Sequence, residues 1–198
     1  TEVEEKKLTQ WFLTITKYAK RLLDDLEALP WKEEIKDAQR AWIGESKGAR
    51  LTFKIRDSEE AISVFTTRPD TLYGATYIVL APEHPSIEKL LPNIANVAEV
   101  EAYISEVKRK TERERLENKE KTGVELKGIH AVHPITGEDL PVYTADYVLG
   151  SYGTGAVMAV PAHDERDFAF AKKFNLKILQ VVSSDTELPY GGSGILKN

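Results

Sequence analysis

Asp167 is an acid in an awkward place. Counting from it, Phe170, Ala171 and Phe174 fall at i+3, i+4 and i+7, so its carboxylate lines up with the apolar face of a helix. An unpaired charge is expensive to bury there. It either caps the helix or waits for a cation. The preceding residues supply the frame. Ala156-Val157-Met158-Ala159-Val160 has the length of a buried strand, and Pro161 stops it. Asp164 suits the N-cap of the following helix, whose first turn is acid-rich, as the helix dipole favours. A second stretch, Thr66-Thr67-Arg68-Pro69-Asp70-Thr71, groups three threonines around one arginine at a strand end. Hydroxyls and backbone N–H groups in such a loop orient a water and hold an oxyanion. A carboxylate binds an ammonium through charge-assisted hydrogen bonds. Together they suit an amino-acid derivative, which leaves a hydrolase or a binding module open. The threonines also suit ordinary loop capping, because hydroxyls satisfy turn backbones.

Other chemistry is excluded by pattern. There is no GxxxxGK[ST] loop, and no GxGxxG opens a helix after a first strand. The cluster Gly150-Ser151-Tyr152-Gly153-Thr154-Gly155 precedes a strand; it reads as a tight loop whose N–H groups can approach a ligand. The chain has no cysteine, hence no thiolate nucleophile or disulfide framework, and no GxSxG elbow. His130 and His133 are expected on opposite faces of a strand, and His163 beside Asp164 and Asp167 has no second histidine nearby. No metal site is therefore expected.

The positioning elements follow from periodicity. Leu8, Trp11, Phe12, Ile15, Ala19, Leu22, Leu23 and Leu26 predict a helix from about 5 to 28, ended at Leu29-Pro30. A second runs from Trp31 to about Trp42, closed by Gly44. This hairpin carries a wide apolar stripe, for packing or for facing another domain. From Arg50 the period becomes two, giving a β-hairpin that turns at Asp57-Ser58. Strands are expected over Thr76–Ala81, Leu126–His133, Asp139–Tyr143, Tyr147-Val148 and Lys177–Val182. Helices are expected from Glu83 to Leu91 and from Val97 to Leu116. The alternating run Lys108–Arg115 reads as a solvated face. Short strands among helices predict an α+β fold, a closed or partly closed barrel decorated by helices.

With 27 basic and 32 acidic residues, the net charge of −5 predicts weak nucleic-acid binding by this segment alone. No apolar run approaches a membrane span, and a cytoplasmic domain is expected. Both ends read as cut from a longer chain.

Two segments resemble a known family. Thr66-Thr67-Arg68-Pro69-Asp70-Thr71-Leu72-Tyr73-Gly74 resembles the threonine-rich motif of the editing domain, or connective peptide 1, of class I aminoacyl-tRNA synthetases. Gly153 to Asp167, ending His163-Asp164-Glu165-Arg166-Asp167, resembles that domain's second signature in its leucyl form. Trp42-Ile43-Gly44, with Ser46 and Gly48, is similar to the leucyl family's entry into the insertion, although Glu45 stands where an arginine is usual. The resemblance implies the barrel-like editing fold of valyl, leucyl and isoleucyl synthetases over 45–198, with 1–44 a helical link to the parent synthetase. It implies hydrolysis of leucine tRNA wrongly esterified with isoleucine, valine, methionine or norvaline. Of the residues it assigns, Thr66, Thr67 and Asp167 are catalytic, with Asp167 anchoring the α-ammonium. Thr71 is the gate against leucine, and Arg68, Tyr152, Met158 and Val160 bind substrate. It implies no cofactor in this domain, ATP and Mg serving the parent's catalytic domain, and the leucine tRNA acceptor end as partner. No residue looks like a dedicated general base; the ribose hydroxyl beside the ester is implied to assist the water.

Overall fold

The computed structural model describes residues 8–118, 120–184 and 186–197. The chain divides into two compact units, between Lys47 and Gly48.

In the first unit, α1 (Ala19–Leu26) and α2 (Glu33–Ile43) pack on each other. Gly44 closes α2 in the left-handed region at φ 65°, its N–H bonded to the Arg40 carbonyl. The predicted first helix is much shorter than its apolar rhythm. Residues 5–7 lie outside the described residues, residues 8–14 are irregular, and Ile15–Tyr18 form one 3-10 turn. Trp11, Phe12 and Leu13 are exposed. A helix draws its stability from burying an apolar face, and no described residue of this unit covers that face. The run Thr14-Ile15-Thr16 is also β-branched, which weakens helix further.

The second unit is built on one mixed sheet of six strands. These are β1 (Ala49–Ile55), β2 (Ala61–Thr66), β3 (Tyr77–Leu80), β4 (Gly123–Val132), β5 (Asp139–Ala145) and β6 (Ala156–Ala159), in spatial order β2-β1-β4-β5-β3-β6. The β1–β2 hairpin turns at Asp57 with φ 55° and pairs Ala49 with Thr66. β3 runs parallel to β5 and antiparallel to β6, with Tyr77 opposite Ala159. The sheet is not closed into a barrel. Edge strands β2 and β6 approach each other, but no ladder joins them among the described residues.

Both faces of β3 are buried. Ile78 and Leu80 join a cluster with Phe53, Leu72, Met158 and Val160, whereas Tyr77 and Val79 join one with Tyr143, Tyr147, Phe170 and Ala171. β6 is covered likewise, with Ala156, Met158 and Val160 in the first cluster and Val157 and Ala159 against the second, and a strand covered on both sides reads as continuously apolar. The covering element of the second face is α6 (Glu165–Phe174). Its Phe170 is fully buried, a contribution of roughly 1.5–3 kcal/mol.

Four further expectations change. The predicted Val97–Leu116 helix is two helices, α4 (Val97–Val107) and α5 (Glu112–Glu117), after a short α3 (Pro85–Leu90). Thr111 starts α5 anew with a reciprocal capping box to Glu114. Lys177–Val182 is irregular apart from one bridge, Val182 to Leu196, and Tyr147-Val148 lie in a turn. Arg115 leaves the solvated run and is buried. Its planar fork donates to the carbonyls of Asp146 (2.9 Å) and Val148 (2.7 Å) and to Glu83, whose carboxylate takes the Gly150 N–H at 2.7 Å. That ion pair fastens the turn after β5 to the rest of the domain. No helix among the described residues is long and apolar enough to cross a membrane.

Candidate active site

Asp164 caps α6: its Oδ1 accepts the N–H groups of Arg166 (2.9 Å) and Asp167 (3.1 Å). Asp167 is thereby relieved of capping and points its carboxylate inward, only 7% exposed. Oδ2 accepts the Val160 N–H at 2.8 Å and Oδ1 the Tyr147 hydroxyl at 3.2 Å. Among the described residues no cation pairs with it. Burial pushes its carboxyl up to about 7, and the neighbouring Asp164 charge adds to the rise. The Val160 N–H, the Arg166 guanidinium and the Tyr147 hydroxyl pull it back. A carboxylate offers about four acceptor positions, so two hydrogen bonds leave room for a ligand's donors.

The threonine loop leaves β2 and enters a 3-10 turn, Pro69–Gly74, with proline at the start where no N–H is needed. Thr66 is half-buried, and its hydroxyl accepts the Arg68 N–H at 3.0 Å. Thr71 is 1% exposed and donates its hydroxyl to the Arg68 carbonyl at 2.9 Å. Both hydroxyls therefore brace the loop, as capping chemistry predicts. Thr67 is exposed, and its hydroxyl has no partner among the described residues, which leaves it available to solvent. Arg68 forks onto Asp70, whose carboxyl is held below its usual range by that guanidinium.

The two halves meet at Gly74 and Val160. A Cβ built on Gly74 would stand 3.2 Å from Val160 Cγ1 and 2.9 Å from Val181 Cγ2. Leu72, Ala75, Met158 and Val160 share one core cluster. Tyr190-Gly191 closes the junction. Gly191 C=O accepts from Arg68 Nη1 at 3.0 Å, the Tyr190 N–H donates to Ala162 C=O at 2.8 Å, and Tyr190 C=O faces His163 Nδ1 at 2.8 Å. His163 Nε2 takes the N–H groups of both Val181 and Val182 at 3.1 Å. Those two donors assign the proton to Nδ1.

Met158 and Val160 are buried beside the junction, whereas Tyr152 stays 79% exposed on the loop entering β6. That loop uses glycines at φ 63° (Gly153) and 69° (Gly155). Two open clefts, of about 430 and 470 Å³, lie around Lys177 and Leu179 and contain none of the predicted site residues. Among the described residues no group of three or more His, Asp or Glu has a metal-holding arrangement.

Residues 40–196 match the family model described as "Leucyl-tRNA synthetase, editing domain". The chain belongs to the leucyl-tRNA synthetase editing domain family. It is 53% identical over its whole length to a leucine–tRNA ligase of Clostridium tetani, and 52% identical over 96% of its length to one of Bdellovibrio bacteriovorus. It spans 24% of each of these relatives. A crystal structure of an Agrobacterium radiobacter LeuRS, in a ternary complex with tRNA and LeuAMS, matches 90% of the chain and 21% of that protein. The TM-score is 0.75 at 41% identity.

Within this editing domain four supports leave no mark in the sequence pattern. Tyr77 and Tyr147 fall in predicted strands with no chemistry attached, His163 carries only a metal reading, and no motif includes Tyr190. Each acts on a residue far along the chain, so no spacing in the sequence links them. Of the two roles that its register left open for Asp167, capping falls to Asp164.

Proposed function

We propose that this chain is the editing part of a longer leucyl-tRNA synthetase and hydrolyses the ester of leucine tRNA mischarged with isoleucine, valine, methionine or norvaline. The observation that carries the reading is the buried Asp167 carboxylate without a counter-cation, held by an N–H and a hydroxyl. An α-ammonium is the partner such a site lacks. The need is physical: one methylene distinguishes side chains by only about 1–3 kcal/mol, so a second sieve must remove the errors.

In this reading Asp167 fixes the amino acid by its ammonium. Thr67, exposed beside Thr66, orients a water toward the ester carbonyl. Water adds to that carbon, and the tetrahedral intermediate collapses with the terminal ribose oxygen leaving as a hydroxyl; amino acid and tRNA separate. The neighbouring ribose hydroxyl assists the water, and hydroxyl and N–H donors of the Thr66–Thr71 loop stabilise the oxyanion. Thr71 excludes leucine, and Arg68, Met158, Val160 and Tyr152 contact the side chain or terminal nucleotide. ATP and Mg serve the aminoacylating part of the longer protein, and residues 1–44 link this domain to it. The cytoplasm is the compartment proposed for this role.

The test is deacylation of isoleucyl-tRNA specific for leucine by the full-length protein. Asp167→Ala should lose about 10- to 100-fold, the value of hydrogen bonds to a charged group. Undiminished deacylation, with the variant folded, would refute the anchoring role.

A further inference from the structure

Residue 167 is pinned at every polar atom. Its N–H is capped by Asp164 at 3.1 Å, and its carbonyl accepts the Tyr77 hydroxyl at 2.9 Å. Its carboxylate accepts Val160 N–H at 2.8 Å and Tyr147 O–H at 3.2 Å. The two tyrosines arrive from different elements, Tyr77 from β3 and Tyr147 from the turn after β5 that Arg115 fastens. Both rings rest on Phe170, at 5.6 Å stacked and 5.5 Å tilted. Of residue 167, Tyr77 grips only the backbone; Tyr147 alone of the two touches the carboxylate.

We propose that Tyr147 is a positioning residue for Asp167, whose hydroxyl holds the carboxylate in one rotamer with its remaining acceptor positions turned to the ligand. A carboxylate fixed before the ligand arrives loses no freedom on binding, which is how preorganised sites gain affinity and alignment. The hydroxyl is a dependable donor, because burial and the Asp167 charge keep the phenol protonated far above neutral pH. The groups facing the carboxylate are Tyr147 and Tyr77 from the sheet side and Asp164 and Arg166 from α6. Asp164 opposes ionisation; Arg166 and the Tyr147 hydroxyl favour it. Removing that hydroxyl therefore makes Asp167 titrate at higher pH.

This inference rests on the ammonium-anchoring reading, and the experiment separates the two. Tyr147→Phe keeps the ring on Phe170. In the full-length protein, the pH profile of kcat/KM for deacylation of isoleucyl-tRNA should shift its acidic limb up by about one pH unit. That means a loss roughly fivefold to tenfold larger near pH 6.5 than near pH 8.5, where only the freed rotamer counts. An unmoved limb overturns the proposal, as does a uniform fall at all pH, which marks a merely structural role. Tyr77→Phe is the comparison: a shift as large as that of Tyr147→Phe means general loosening and also overturns it. The second readout needs no activity. A ¹³C titration of the Asp167 carboxyl in this chain should move upward in Tyr147→Phe; an unchanged midpoint rejects the bracing. If Asp167→Asn remains active while that midpoint moves, anchoring is wrong and the bracing stands.

Discussion

Arg68 and Gly191 stand 123 residues apart in sequence and are joined by a 3.0 Å hydrogen bond from the guanidinium to the carbonyl. One residue earlier, Tyr190 C=O meets His163. The same dipeptide thus ties the threonine loop to the second motif, and His163 extends the tie to Val181 and Val182. His163→Ala strands two backbone donors at Val181 and Val182, where the histidine is itself only 9% exposed. A stranded buried donor costs about 1–3 kcal/mol. Hydrogen exchange at these two amides should speed up by at least about tenfold, while amides of β4 keep their protection. Equal exchange in variant and parent would show that the segment is held by other contacts.

Asp167 makes stability depend on pH in an unusual direction. Its carboxyl is raised from 3.8 to about 7 in the folded chain, so the folded state binds this proton more tightly than the unfolded one. The contribution is full below about pH 4 and declines as pH rises toward about 7, by up to roughly 4 kcal/mol. Asp167→Asn does not titrate. Relative to the parent it should gain thermal stability near pH 8, and the gap should narrow on acidification toward pH 5, while deacylation is lost. A gap independent of pH would mean that the carboxylate is not desolvated.

How much of this was legible depended on range. Local signals held. The β1–β2 hairpin with its turn at Asp57, the stop at Gly44 and the Asp164 cap all follow from neighbours within a few residues. Long-range effects did not. The apolar stripe at Trp11–Leu13 predicted a helix, but stripes form helices only where something covers them. Lys177–Val182 has strand composition, yet the Val181 and Val182 N–H groups go to a histidine ring, and one bridge, Val182 to Leu196, is its pairing among the described residues. Arg115 belonged to an alternating-charge pattern whose local reading was solvent; two carbonyls from the turn after β5 claimed it. The motif resemblance singles out Asp167 and the threonine loop as a candidate site, but the braces beneath them come from Tyr77, Tyr147 and Tyr190, which no motif includes.

The contact of Gly74 with Val160 offers a steric test. Gly74 has an ordinary backbone conformation, so adding a methyl strains packing alone. The new Cβ would lie 2.9 Å from Val181 Cγ2 and 3.1 Å from the Leu179 carbonyl oxygen, and the latter is backbone that does not rotate away. Gly74→Ala should cost about 1–3 kcal/mol in urea unfolding. It should also move Val160, whose N–H holds Asp167, and so lower deacylation beyond the stability loss. Gly137→Ala is the contrast. Gly137 has open space for a methyl but φ 73°, so it costs about 1–2 kcal/mol of backbone strain and leaves deacylation unchanged.

Thr71 separates two accounts of leucine exclusion. Its hydroxyl bonds the Arg68 carbonyl at 2.9 Å, and that carbonyl also accepts the Thr71 N–H at 3.1 Å. Thr71→Val keeps the side-chain shape and removes one of two hydrogen bonds on an acceptor that stays satisfied, at about 1 kcal/mol. Thr71→Ala removes the methyl as well and leaves space in a position only 1% exposed. If the methyl is the gate, the valine variant still spares correctly charged leucyl-tRNA, and the alanine variant hydrolyses it. The measurement is loss of leucyl-tRNA over time with each full-length variant, against isoleucyl-tRNA as the positive control. Hydrolysis of leucyl-tRNA by both variants would transfer the gate to the hydroxyl, acting through the Arg68 carbonyl and the shape of the 3-10 turn.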